Sequence, residues 1–133
     1  MKIQNLEELD TPCLILDKSL LEKNCFKARK KCLESNTILR PHVKTPKSIE
    51  IAKIALDNQI GPITVSTLNE AEYFAGAGFK DILYAVCITP KKLKRLNFIQ
   101  QKYSCIIRIV IDSTYIAQEI LKYSKLHNAN FEI

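Results

Sequence analysis

Thr37-Ile38-Leu39-Arg40-Pro41-His42-Val43-Lys44 is the stretch on which the reading of this chain turns. The two-residue period of a β-strand places Leu39 and Val43 on one face and Arg40, His42 and Lys44 on the other. The aliphatic face suits packing under helices. The opposite face presents a row of cationic or ionisable groups that ends in a lysine at the carboxyl end of the strand. In parallel α/β architectures that end is where ligands bind, and in a closed barrel the face away from the helices is the interior. Pro41 lacks a ladder donor, so an irregular pairing is expected beside this row.

Outward from this segment the chain alternates short aliphatic runs with longer stretches of helical periodicity. The runs begin near residues 13, 37, 62, 81, 105 and 131, at intervals that one strand, one helix and two short loops consume. This is a βα repeat, and it predicts a parallel sheet. Helix starts are marked by chemistry: Ser19 precedes Glu22 and Thr67 precedes Glu70 at capping-box spacing, while Thr45-Pro46 and Thr89-Pro90 pair a capping hydroxyl with a first-turn proline. Gly78 suits a left-handed helix stop. With no linker or composition shift, residues 1–133 read as one unit without an internal boundary. The closing Phe131-Glu132-Ile133 reads as the start of a further strand, so the chain looks cut.

At 133 residues the chain is too short for a complete eight-fold barrel of roughly 250 residues. It holds 47% hydrophobic and 26% charged residues with only 3 glycines and 5 prolines, which excludes disordered, collagenous and low-complexity classes. No apolar run approaches a membrane span, and the N-terminus lacks a signal-peptide pattern, so a cytoplasmic address is expected. Five cysteines without a C-x-x-C pair read as reduced, mostly buried thiols. The net charge of +6 is compatible with an anionic partner or cofactor. Its densest runs, Lys27 to Lys31 and Lys91 to Arg95, have helical patterning and few aromatic neighbours, and read as solvated helix faces rather than a nucleic-acid surface.

Burial lowers the pKa of a lysine and yields the neutral amine that attacks a carbonyl, so Lys44 is a candidate Schiff-base residue. An exposed edge strand guarded by lysine accounts for the same pattern. His42 has no Cys, Asp or Glu at ligand spacing, and no metal site is expected. Thr64 and Ser66 share a face of the next strand and could hydrogen-bond a ligand, although a helix cap also explains Ser66 and Thr67. Arg108 either lines the interior or marks an edge, and Asp112 reads as an N-cap. Three glycines leave no room for a Walker loop or a dinucleotide fingerprint.

The string Arg40-Pro41-His42-Val43-Lys44-Thr45-Pro46-Lys47 resembles the R-P-H-x-K-T-H-K signature of the D-threonine aldolase and D-serine dehydratase family, relatives of the alanine racemase N-terminal domain. The likeness extends to Asp10-Thr11-Pro12-Cys13-Leu14, Asp17, Asn24, Ser48 to Ala52, Thr64 to Glu72 and Asp81-Ile82-Leu83, and so covers nearly the whole chain. It implies the N-terminal portion of a (β/α)8 barrel, with about five βα units. The family's arrangement would set Thr11 to Leu16 apart with a C-terminal β domain, leaving four complete barrel units. It further implies that Lys44 forms a Schiff base with pyridoxal 5'-phosphate and that Arg40 and His42 line the cofactor pocket. Pro46 departs from the motif by replacing its second histidine.

The implied activity is that of a lyase, aldolase or dehydratase, on D-amino acids bearing a β-hydroxyl. A homodimer is expected of a full-length form, without nucleic-acid or membrane partners. Family members run nearly three times as long. Their phosphate-binding loops and the His-x-Cys pair that holds a divalent metal have no counterpart here, so the 133 residues alone are expected to be inactive. The alternative is a catalytically silent fragment, or a module that binds the cofactor or a partner without turnover.

Overall fold

In a computed structural model, which describes residues 5–133, the βα repeat becomes an arc of parallel strands covered by helices on one side only. Its regular part is a three-stranded sheet of β1 (Ile63–Val65), β2 (Asp81–Cys87) and β3 (Ile106–Val110), in that order and parallel throughout. The helices are α1 (Lys18–Glu34), α2 (Ile49–Ala55), α3 (Leu68–Gly76), α4 (Pro90–Tyr103) and α5 (Thr114–His127). Consecutive strands lying side by side in chain order, each followed by a helix, give the successive staves of a barrel wall.

Two further segments extend the arc. Residues 41–43 lie beside β1: Val43 N–H donates to Thr64 O and Thr64 N–H to Pro41 O, both at 2.9 Å, and His42 pairs with Thr64 in parallel. The pairing stops at one bridge, and Pro41 offers no N–H to prolong it. On the other side Ile109 N–H donates to Glu132 O at 2.9 Å. The strand expected from residue 13 does not form. Leu14, Ile15 and Leu16 are exposed in irregular backbone, with no strand among the described residues to pair with.

The core lies between sheet and helices. Ile63, Val65, Ile82, Tyr84, Ile107 and Ile109 alternate onto the helical side and are at most 2% exposed. They meet Phe74, Leu93, Leu96, Ile99 and Ile120 from α3, α4 and α5. Phe74 also packs edge-on against Phe79, with ring centroids 5.4 Å apart. The other side chains of the same strands, such as Leu83, Ala85, Ile106 and Val110, face the open concave side. By contrast α1 contributes no buried residue. It is held through Arg29, which donates to Ile54 O at 2.8 Å at the end of α2 and pairs with Asp57 at 3.0 Å.

The helix punctuation is partly as the sequence suggests. Thr67 caps α3 by accepting from Glu70 N–H, Pro90 occupies the first turn of α4 behind Thr89, and Gly78 takes φ of +96° just past α3. Three assignments move. Asp17, not Ser19, caps α1 by accepting from Leu20 N–H. Ser48, not Thr45, caps α2, because residues 44–46 are used as a turn out of the strand. Ser113, not Asp112, caps α5. In each case a short oxygen-bearing side chain sits at the true junction, one to three residues from the expected one. The five cysteines are free, but only Cys105 is buried.

Candidate active site at the concave face

The concave face carries two layers of polar side chains, one at each end of the strands. At the amino end, Asp81 opens β2 and receives Arg40 in a two-pronged contact, Nη1 to Oδ1 and Nη2 to Oδ2, both at 2.9 Å. Arg108 Nε reaches Asp81 Oδ1 at 3.1 Å from β3, and its other end pairs with Glu132. Four charges thus run across the arc as Arg40, Asp81, Arg108 and Glu132, with Arg40 reaching over β1 to β2. Hydrogen bonding from Arg40, reinforced by Arg108, holds the Asp81 carboxyl below its ordinary range, against the opposing effect of partial burial. Asp81 in turn raises the pKa of Arg108. Arg108 therefore lines the interior.

At the carboxyl end the groups are different. Lys44 follows buried Val43 and is exposed. Among the described residues its ammonium makes no ion pair or hydrogen bond. Its backbone N–H donates to His42 Nδ1 at 3.3 Å, and His42 Nε2 lies 3.2 Å from Ser66 Oγ. Ser66 N–H donates to Glu70 Oε2 at 2.8 Å, and Glu70 Oε1 is 3.4 Å from Lys47 Nζ. Glu70 is only 8% exposed, so this carboxylate is a fixed support beneath the serine. The parallel pairing of His42 with Thr64 sets Lys44 and Ser66 two residues further along their respective strands.

The structure brings His42, Lys44 and Ser66 together, and it places Arg40 lower in the arc with its guanidinium occupied by Asp81. The expectation of a buried lysine is not met. The strands form an open arc, so its concave side stays in water. Sequence reading missed Glu70 as a support for Ser66 and Asp81 as the partner of Arg40. The capping-box spacing from Thr67 marked Glu70, but the box closes one residue early, on Ser66 N–H. Register shifts between Tyr84 and Cys87 at the mouth of β2, where desolvation, and then Asp112, push the Cys87 thiol up.

The chemistry of these residues fits the aldehyde end of a pyridoxal phosphate: a primary amine unpaired among the described residues belongs to the residue whose backbone N–H meets an imidazole, which in turn reaches a hydroxyl. The apolar hollow between α1 and residues 37–39, about 530 Å³ and lined by Phe26, Leu33 and Leu39, lies away from these groups.

No protein-family model matches the chain. It is 35% identical over 125 residues to the D-threo-3-hydroxyaspartate dehydratase of Delftia sp. (strain HT23), across 94% of this chain and 33% of that protein. Over 95 residues it is 39% identical to the D-serine dehydratase of Dictyostelium discoideum, across 68% of this chain and 24% of that protein. Among solved structures, an alanine racemase-like protein from Idiomarina loihiensis superposes with a TM-score of 0.88 at 38% identity, over 93% of this chain and 33% of that one. D-threonine aldolase from Filomicrobium marinum shares the fold, with a TM-score of 0.82 at 24% identity over 95% of this chain and 34% of that one. The chain spans a quarter to a third of the length of the curated relatives it matches. Its homologues are thus D-amino-acid dehydratases and aldolases, which it matches over their N-terminal third, and its fold is part of their alanine racemase-like barrel.

Proposed function

We propose that this chain supplies the N-terminal, lysine-bearing part of a pyridoxal phosphate-dependent lyase acting on D-amino acids with a β-hydroxyl. Residues 1–133 would form one continuous portion of the barrel domain. The observation that carries the reading is the position of Lys44: its amine, unpaired among the described residues, belongs to the carboxyl end of the first paired segment, on the face away from the helices, and its backbone N–H meets His42. The family's motif, Arg40-Pro41-His42-Val43-Lys44-Thr45, supports the same residue.

Pyridoxal phosphate, when bound, supplies the electron sink that permits bond cleavage at Cα or loss of a β-substituent. The chain's own groups divide the remaining work. Lys44 offers the amine that anchors the aldehyde. His42 is oriented by the Lys44 backbone and presents its second nitrogen to Ser66. Arg40 belongs to the proposed cofactor wall from below, with its charge balanced by Asp81. The whole protein is read as a cytoplasmic homodimer, with the divalent metal of its relatives held by residues outside this chain. A second reading, cofactor capture without turnover, is favoured by the open concave face, which leaves the site in water.

The test is chemical trapping. The protein is incubated with pyridoxal phosphate, reduced with borohydride and digested, and the labelled lysine is identified by mass spectrometry. Label on the Lys44 peptide ahead of other exposed lysines such as Lys91, lost in Lys44→Ala, is the expected result. Label spread without preference would overturn the assignment. Pyruvate released from D-serine separates the lyase from the silent carrier.

A further inference from the structure

From the lysine reading just given, and resting on it, we infer that the Ser66 hydroxyl is a hydrogen-bond donor to an anionic oxygen of whatever Lys44 holds, with His42 as the residue that aims it.

His42 Nδ1 accepts from the Lys44 backbone N–H, and a nitrogen that accepts carries no proton. In the neutral ring the proton therefore sits on Nε2, which donates to Ser66 Oγ across 3.2 Å. That tautomer follows from the hydrogen-bond network. A hydroxyl that accepts from one side still has its own proton to give. Among the described residues that proton has no acceptor, because the remaining bond to Ser66 is from its backbone N–H to Glu70 Oε2 at 2.8 Å. Backbone and side chain are thus both held, and one donor is left over at the strand end level with Lys44. An oriented donor of this kind stabilises negative charge without reorganising when the charge arrives. Two sources offer that charge beside the Lys44 amine: the ring oxygen of the cofactor and the carboxylate of an amino-acid substrate.

Glu70 explains why the serine, rather than the adjacent Thr67, takes this part. Thr67 Oγ1 accepts from Glu70 N–H and is committed to the start of α3. Ser66 precedes the cap and is only partly covered.

The test measures capture of pyridoxal phosphate at Lys44 by absorbance and borohydride trapping, with and without D-serine, in the wild type, Ser66→Ala, Ser66→Thr, His42→Ala and His42→Gln. Loss of one hydrogen bond to a charged oxygen corresponds to about a tenfold weaker capture. Ser66→Ala and His42→Ala are each expected to show it, and the double variant to lose little more, since the two act through one proton. Ser66→Thr keeps the hydroxyl, and His42→Gln keeps a donor near the Nε2 position, so both should recover most of the effect. A loss with pyridoxal phosphate alone assigns the acceptor to the cofactor. Because the amine of D-serine displaces Lys44 from the aldehyde, the second arm reads that displacement, and a Ser66→Ala effect confined to it, as weaker displacement by D-serine, assigns the acceptor to the substrate carboxylate.

Capture, and its displacement by D-serine, both unchanged by Ser66→Ala overturn the inference while leaving Lys44 in place. Wild-type protein without preferential capture at Lys44 overturns the underlying reading and the inference together. A measurement independent of any cofactor is the ¹⁵N spectrum of the His42 ring in the free protein. It should show the proton on Nε2, and a proton on Nδ1 would also overturn the proposal.

Discussion

The two ends of the concave face are built from the same kinds of side chain and put them to opposite uses. At the amino end Arg40, Asp81, Arg108 and Glu132 satisfy one another across the arc, and each cation has a carboxylate within hydrogen-bonding distance. At the carboxyl end, four residues on, the described residues give the Lys44 ammonium no carboxylate, while its backbone N–H donates to His42, which reaches Ser66. Charge that is paired ties strands together. Charge that is unpaired, at the end of a parallel strand where loops converge, is free to engage a ligand. The contrast sets Arg40, engaged by Asp81, apart from Lys44, four residues on along the same face and unpaired among the described residues.

The sharpest way to break this contrast is Lys44→Ala, which should abolish site-selective trapping of pyridoxal phosphate. Its effect on stability should stay within about 0.5 kcal/mol because the side chain is exposed and unpaired. Urea titration alongside the trapping assay checks both halves. The converse change is Asp81→Asn, which leaves two guanidinium groups facing a neutral amide. A loss of about 1–2 kcal/mol is expected, the lower part of the range for breaking a charged pair because Asp81 is 35% exposed and partly screened.

The acid limb sharpens the comparison further. Since Asp81 titrates lower in the folded protein than its ordinary 3.8, its contribution is present above that value and is lost as pH falls through the depressed folded-state pKa. Urea midpoints of the wild type should therefore fall below about pH 4, and Asp81→Asn should show a shallower decline. An equal decline in both proteins would remove Asp81 from the account. The smallest effect belongs to Lys47→Gln. Its pair with Glu70 spans 3.4 Å from a side chain 63% exposed, so a change within about 0.5 kcal/mol is expected by thermal melting.

Much of this was readable from neighbours in sequence. The alternation of residues 37–44 put Val43 in the core and Lys44 on the other face, as the structure has them. Thr67, Pro90 and Gly78 marked their helix ends correctly because a cap or a stop involves residues only three or four apart. The same locality explains the misplaced caps at Ser19, Thr45 and Asp112: several oxygen-bearing residues compete at each junction, and the winner depends on where the preceding chain leaves the sheet. The strand expected from residue 13 failed for a related reason, since an aliphatic run becomes a strand only beside another strand.

What the sequence alone determined, then, is the parity of the strands and the alternation of strands with helices, and it singled out Lys44 as the amine we propose to be reactive, all through short-range periodicity and motif. Only the tertiary structure decided that Arg40 goes to Asp81, 41 residues on, that His42 meets Ser66, 24 residues on, and that Glu70 steadies that serine from below. Those partnerships depend on the register between strands, and register is fixed by how the helices seat Ile63, Ile82 and Ile107 into one buried layer rather than by any residue's nearest neighbours.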